Sequence, residues 1–473
     1  MQIVCTYCRL TNQQFMSSAG NPFDLVVTGG TCATPWGLFE IDIGIRDGRI
    51  ASIGALDRRA SAEQLDARGT HVLPGLIDSQ VHFREPGLEH KETIASGTDS
   101  AALGGVTTVL EMPNTQPPTT SAEALADKIQ RIRGHARTDI AFFVGASADN
   151  VAALHHLEQL PGCAGIKVFM GSSTGTLLVD DDRTLDEVMR SGRRRVAVHA
   201  EDERRLRERK HLADAADATP AVHPIWRDDM CGWLATQRCL HVARSHGRAV
   251  HILHVTTAEE LTLLAQHRDI ATLEVTPQHL TFAAPDCYER LGTLVQMNPP
   301  IRELRHRDAL WAAIRSGLVD VIGSDHAPHT RAEKDRPYPS SPSGMPGVQT
   351  LLPVMLTHVH EGRLSLPRLV ELVTSGPARV YGIARKGQIS VGMDADLVLV
   401  DLKRRVRLSH AMMRSRCGWT PFDGMDCVGF PVATILRGNT IMRDGEIIGD
   451  PLGRLVEFAG GRSALTLQEP SGA

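Results

Sequence analysis

Gln80, His82 and Arg84 occupy alternate positions in Asp78-Ser-Gln-Val-His-Phe-Arg-Glu-Pro-Gly87, which closes an apolar stretch beginning at His71. Alternate residues of an extended strand face the same way. Gln80 and His82 can therefore offer an amide oxygen and an imidazole to one metal ion. Arg84 adds a planar fork suited to a carboxylate. A metal-binding pair followed by an anion clamp points to an enzyme acting on a small acidic substrate. The run from Val72 to Ile77 reads as the buried strand that carries this face.

Further polar residues interrupt apolar runs downstream. Lys167 breaks Ala164-Gly-Ile-Lys-Val-Phe-Met170, His199 ends Val196-Ala-Val-His, His254 ends Ile252-Leu-His, and Asp325 ends Val321-Ile-Gly-Ser-Asp. A lone histidine in such a place is ordinarily a hydrogen-bonded core residue. Five strand ends of this kind call for a common destination, because buried polar groups are costly without partners.

The elements that must position them alternate between strand-like and helical patterns. Candidate strands span 72–83, 106–111, 139–145, 165–169, 195–199, 249–254, 271–276 and 319–324, and amphipathic stretches fall at 121–133, 184–191, 227–245 and 258–267. This alternation predicts an α/β fold, a (β/α)8 TIM-type barrel over residues 71–385, with catalytic groups at the carboxyl ends of its strands. No Gly-x-Gly-x-x-Gly follows an early strand, which argues against a doubly wound sheet. Short alternating runs at 21–70 and 386–460, with Asp47-Gly48 and Asp444-Gly445 as hairpin turns, predict a small β-sandwich built from both chain ends. Residues 1–20 and 460–473 read as weakly ordered tails.

Lys167 is the unusual member of the set. An ammonium has three donors and no acceptor, so it would repel a neighbouring cation. It can pair with Asp325, act as a Schiff-base nucleophile, or capture carbon dioxide as a carbamate that inverts its charge and supplies two oxygens. Spacing alone leaves all three open.

The ordered blocks Pro74-Gly-Leu-Ile-Asp78, His82-Phe-Arg-Glu-Pro-Gly87, Gly104-Gly-Val-Thr-Thr108, Met112-Pro-Asn114, Gly165-Ile-Lys167, Met297-Asn-Pro-Pro-Ile-Arg302 and Ser324-Asp-His-Ala-Pro-His329 resemble the cyclic amidohydrolases, and within them the dihydroorotases. Gly392-Met-Asp-Ala-Asp396 and Thr420-Pro-Phe-Asp-Gly424 extend the resemblance into the outer part. The resemblance implies that His82 and Asp325 bind one zinc, His199 and His254 a second, and that carboxylated Lys167 bridges them. It implies a zinc-activated water attacking a ring amide, since zinc lowers the pKa of bound water to about 7, with Asp325 moving the proton to the departing nitrogen. Arg84, Asn114 and His329 match positions that hold the substrate's carboxylate, and Asn298 lies near the ring. The implied reaction is reversible hydrolysis of L-dihydroorotate to N-carbamoyl-L-aspartate in pyrimidine biosynthesis.

Two positions depart from the family pattern. Gln80 stands where histidine is usual, so the first metal site is looser or Gln80 lies outside the coordination shell. Gln278 stands where a non-ligand histidine is common. The other functions in view are an allantoinase or hydantoinase, whose substrates lack the carboxylate, and a non-catalytic partner of aspartate transcarbamoylase, which Gln80 alone favours. The family prior is a homodimer.

Composition bounds the rest. The chain has 473 residues, 42% hydrophobic and 22% charged, with a net charge of -4, which gives no electrostatic reason to expect nucleic acid or a membrane surface. No apolar stretch is long enough to span a bilayer. Nine scattered cysteines, with Cys5-x-x-Cys8 the one close pair, argue for a reducing, cytoplasmic location rather than a disulfide framework. His155 and His156 read as helix-surface residues, His251 and His326 as facing away from His254 and Asp325, and Arg193-Arg194-Arg195 as a solvated loop. Residues 331–347 form either an active-site lid or a plain long loop.

Overall fold

The computed structural model describes residues 22–57, 61–173 and 177–459; Cys5, Cys8 and the two expected tails lie outside the described residues. Eight parallel strands follow one another in chain order: Leu76–Val81, Val106–Glu111, Asp139–Gly145, Cys163–Phe169, Val196–His199, Val250–Ile252, Ala271–Val275 and Val321–Ile322. A parallel bridge between Val81 and His326 joins the last strand to the first, with His82 N–H donating to His326 O at 2.7 Å. This is the expected barrel. All six residues of the second strand and all seven of the third and fourth are buried, as a parallel sheet covered on both faces requires.

The expected amphipathic stretches form helices at Ala122–Arg131, Asp182–Arg190, Asp229–Ser245 and Ala258–Ala265. Each begins on a side-chain cap: Ser121, Asp181, Asp228 and Thr257 accept from the backbone N–H three residues on. Outward-facing Val106, Val109, Ile166, Val168, Val196 and Val198 pack with Leu125, Leu185, Val188 and Leu240 of these helices in one apolar cluster. Inward-facing Leu110, Phe143, Ala197, Leu253 and Val321 form another with Tyr381 and Ile383.

The second sheet has nine strands drawn from both ends of the chain, Phe23–Thr34 through His71–Pro74 and Leu397–Arg407 through Glu446–Ile447. Leu25, Val27, Ile43 and Ile45 share an apolar core with Leu397, Leu399, Ala433 and Ile435, so the two ends bury one another. Asp47-Gly48 forms the expected turn, with Arg46 opposite Arg49 and both turn residues at positive φ (52° and 73°).

One strand differs from its expectation. The run read as continuous from Val72 to Ile77 is divided at Gly75. His71–Pro74 pairs with Leu397–Val400 of the outer sheet, and Leu76 onward pairs with the second barrel strand. Gly75 lies so close to the Thr107 side chain that a Cβ there would overlap it, which lets the chain pass from one sheet to the other. The junction is clasped by buried charge. Lys386 Nζ lies 2.8 Å from Asp139 Oδ2 and 2.5 Å from Asp396 Oδ2, and Arg437 also pairs with Asp139.

Candidate metal and substrate site

Gln80, His82, Arg84, Asn114, His199, His254, Asn298 and Asp325 line a single cavity at the carboxyl ends of the barrel strands. These residues come from five strand ends and one loop. Three of them, Arg84, His254 and Asp325, hold positive φ angles of 63°, 37° and 44°. Non-glycine residues rarely adopt this region, and here it turns side chains from the strand direction into the barrel mouth.

His82 Nδ1 is 2.6 Å from Asn114 Oδ1, an acceptor, so the ring proton sits on Nδ1 and the Nε2 lone pair faces Asp325 Oδ1 at 3.3 Å. His199 Nε2 is 2.9 Å from Glu201 Oε2, which leaves the Nδ1 lone pair facing His254 Nε2 at 3.1 Å. Burial works against the Glu201 charge, but Arg227 and His199 outweigh it and hold the carboxyl well below its usual range. Glu201 is therefore an acceptor only. His82 Nε2 with Asp325 Oδ1, and His199 Nδ1 with His254 Nε2, are thus two close pairs of atoms able to ligate a metal. Among the described residues, the buried Lys167 Nζ, Gln80 Oε1 and His254 Nδ1 have no hydrogen-bond partner. Orphaned buried donors and acceptors are rare, and this donor set fits one or two divalent cations.

Lys167 does not hydrogen-bond Asp325; its Nζ lies 4.5 Å from the Phe169 ring centroid. Burial pushes the amine down to about 7, with Asp325 and Glu274 opposing, and pushes Asp325 up to about 7 against Lys167 and His199. Gln80 Nε2 donates to Asp325 Oδ1 at 2.9 Å.

Arg84 is 1% exposed. Its Nε donates to Pro328 O at 3.2 Å, its Nη1 has no partner, and it forms no ion pair with a carboxylate among the described residues. Burial pushes this guanidinium down to about 10, opposed by Asp325 and Glu111. His329 sits behind Arg84, with its Nε2 3.4 Å from Arg84 Nη2 and 3.0 Å from Ser343 O, and is off the cavity wall. Asn298 is held by His223 Nε2 at 3.0 Å.

Residues 71–441 match the Amidohydrolase family. The chain belongs to the amidohydrolase family. The dihydroorotase of Halobacterium salinarum is 39% identical over 428 residues, covering 87% of this chain and 99% of the relative. The allantoinase of Rubrobacter xylanophilus is 36% identical over 457 residues, covering 92% and 97%. The solved L-hydantoinase (dihydropyrimidinase) from Arthrobacter aurescens superposes with a TM-score of 0.86 at 31% identity, covering 92% of this chain and 99% of that one.

Several polar residues of this amidohydrolase escape a reading by strand alternation. Glu201, two residues past His199, orients that ring; the His-x-Glu spacing is the signal that could have found it. Ser343 and Gly344, in the segment read as lid or loop, line the cavity. His251 corrects an expectation. It does not face away from His254: it is buried inside the barrel, its ring centroid 5.5 Å from that of Tyr381 and its Nε2 3.7 Å from Glu274. Leu253 also faces inward, and the positive φ of His254 turns that ring inward despite the alternation. Arg193-Arg194-Arg195 is likewise no simple solvated loop, since Arg195 donates to Val250 O at 2.8 Å and Val380 O at 3.2 Å beneath the barrel. His326 does turn away from the cavity, to Glu92 at 3.2 Å. Gln278 Nε2 holds Ser324 O at 2.8 Å, beside Asp325.

Elsewhere, Asp229, Glu259 and His306 also cluster with metal-ligand spacing. The Arg305 guanidinium pairs with Asp229 at 2.9 Å and Glu259 at 2.7 Å, so those carboxylates are already neutralised. Among the described residues, no helix is long and apolar enough to cross a membrane.

Proposed function

We propose that this amidohydrolase is a dihydroorotase, opening the cyclic amide of L-dihydroorotate reversibly to N-carbamoyl-L-aspartate in pyrimidine (UMP) biosynthesis. The observation that carries this reading is Arg84, a buried guanidinium on the cavity wall that has, among the described residues, an unpartnered Nη1 and no carboxylate ion-paired to it. Leaving a buried charge unpaired is costly, and dihydroorotate brings the missing carboxylate. Allantoin and hydantoin carry none.

In this reading His82, Asp325, His199, His254 and carboxylated Lys167 would hold one or two zinc ions, with Gln80 Oε1 a further oxygen within the same wall. Zinc bound there supplies Lewis acidity and lowers the pKa of water to about 7. Lys167 suits carboxylation because an amine held near 7 by burial has free base available to attack carbon dioxide at neutral pH. Arg84 binds the substrate carboxylate, and Asn298, braced by His223, orients the ring. Asn114 contributes through His82, whose Nδ1 proton it accepts. Asp325 takes the proton of the attacking water at its carboxylate and returns it to the ring nitrogen as the amide bond breaks.

Hydrolysis of allantoin or a hydantoin is the second reading, favoured by the similar identity of relatives with those names. Steady-state rates on L-dihydroorotate, allantoin and hydantoin, with zinc and bicarbonate supplied, decide between them. We expect dihydroorotate to have the highest kcat/KM by at least about a hundredfold, the scale of discrimination set by one buried charged contact. Turnover of allantoin or hydantoin with none of dihydroorotate would refute the proposal.

A further inference from the structure

Glu92, on the loop after the first barrel strand, is buried and gathers hydrogen bonds on both carboxylate oxygens. His326 Nε2 lies 3.2 Å from its Oε2, which the Ser415 hydroxyl also contacts. The Arg416 N–H donates to its Oε1 at 3.1 Å, beside the Ser96 hydroxyl. Burial works against the Glu92 charge, but His326, Ser415 and Ser96 outweigh it and hold the carboxyl below its usual range. An ionised carboxylate only accepts. On its other edge the His326 ring accepts at Nδ1 from the backbone N–H of Gly347 at 3.1 Å and of Val348 at 3.4 Å. The ring proton therefore sits on Nε2, against Glu92, and both ring nitrogens are occupied.

The backbone of His326 closes the barrel beside the metal-ligating residues. Its carbonyl accepts from His82 N–H at 2.7 Å, and its N–H lies 3.3 Å from Gln80 O and 3.1 Å from Ser324 Oγ. Asp325, the preceding residue, is held at φ 44° with its Oδ1 3.3 Å from His82 Nε2. A non-glycine residue keeps such a φ only where its surroundings impose it, and the clamped His326 ring is one such constraint. Ser415 and Arg416 belong to the loop between Leu397–Arg407 and Asp426–Leu436 of the outer sheet. Trp419 of the same loop, buried, donates from Nε1 to His329 O at 2.7 Å, so the loop grips the segment after Asp325 at a second point.

We infer that Glu92 is a positioning residue for the metal pair His82 and Asp325. It acts through His326, and the outer sheet holds it in place through Ser415 and Arg416. The inference rests on the proposed function in one respect, that His82 and Asp325 hold metal. It gives the outer sheet a part in the reaction, although none of the cavity-lining residues belongs to that sheet.

The test uses the full chain loaded with cobalt(II), whose visible d–d bands report ligand geometry, with chelator competition for metal affinity. Glu92→Gln keeps the volume but sets an amide N–H2 among groups that all donate, so His326 loses its charged acceptor. The cobalt bands should shift, and metal should bind about tenfold more weakly, the scale on which partners behind a ligand act. Dihydroorotate kcat should fall about tenfold with KM unchanged within about twofold, as for an interaction that serves the chemical step. Ser415→Ala removes one hydrogen bond to Glu92 from the outer sheet and should cause the same changes on a smaller scale. Wild-type bands and affinity in a folded Glu92→Gln, or a loss confined to KM, overturn the inference. If Glu92→Gln does not fold, Ser415→Ala decides alone, and unchanged bands and affinity there overturn it. A wild type that binds cobalt but turns over only allantoin or hydantoin would overturn the dihydroorotase reading, and the bands and affinities would still decide the role of Glu92.

Discussion

Gln80 and Asp325, 245 residues apart in sequence, meet where the barrel closes: Gln80 Nε2 donates to Asp325 Oδ1 at 2.9 Å. The amide turns its donor to Asp325, and its oxygen has no hydrogen-bond partner among the described residues. Glutamine here does what histidine cannot, anchoring the acid and offering a neutral oxygen at once. Gln80→Leu should lower kcat/KM by about tenfold to a hundredfold, the value of a hydrogen bond to a charged group. Gln80→His should retain metal, measured as zinc per chain by emission spectrometry. Wild-type kinetics in Gln80→Leu would remove any role for this contact.

Arg84→Met keeps much of the aliphatic volume and deletes the fork. Dihydroorotate kcat/KM should fall by at least about a hundredfold, since both the charge and a two-toothed hydrogen bond are lost. Turnover of an uncharged cyclic amide should fall far less. Parallel assays on dihydroorotate and hydantoin read the difference.

Glu201→Gln tests the orientation of His199. Partners that hold a metal-binding imidazole commonly contribute about tenfold to a hundredfold in metal affinity. Competition with a chromogenic chelator should show zinc bound more weakly by that factor, while the melting profile of the chelated protein shows whether the fold survives. Unaltered zinc affinity would reduce Glu201 to a structural partner of Arg227.

Lys386→Met addresses the junction of barrel and outer sheet. Removing Lys386 leaves Asp139 and Asp396 buried at 3% and 5% exposure with their shared cation gone. Stranding buried charge in this way costs about 3–5 kcal/mol, measurable by urea denaturation. Arg437 remains beside Asp139 and sets the lower end of that range.

Glu333 carries a pH signature. Burial works against its charge, but the Thr330 backbone N–H, Lys91 and the Thr330 hydroxyl outweigh it and hold the carboxyl at about 2, below its ordinary 4.5. A carboxylate depressed in the folded state stabilises fully above the unfolded pKa and ceases to do so as pH falls through the folded value. The difference in melting temperature between wild type and Glu333→Gln should therefore be constant above about pH 5 and shrink between 4.5 and 2. A difference that is flat across that window would mean that the Lys91–Glu333 pair does not form.

Much of this protein is legible along the chain. Hydrophobic runs of the right length, alternating with amphipathic stretches, specify eight strands and their order, because burial on both faces demands nearly continuous apolar sequence. His82, Lys167, His199, His254 and Asp325 stand out because each breaks such a run at its carboxyl end. Alternation fails where the backbone leaves the strand. His254 follows inward-facing Leu253 and reaches the cavity only through its positive φ, while His251, read as outward, lies inside the barrel. The bond of Gln80 to Asp325, the contact of His199 with His254 and the contact of Lys91 with His329 join residues 245, 55 and 238 positions apart. Local sequence carries no term for such distances. Residue types thus declared which chemistry was available, and the closure of the barrel decided which atoms share it, because only tertiary packing sets which donors are satisfied and which are left facing the cavity.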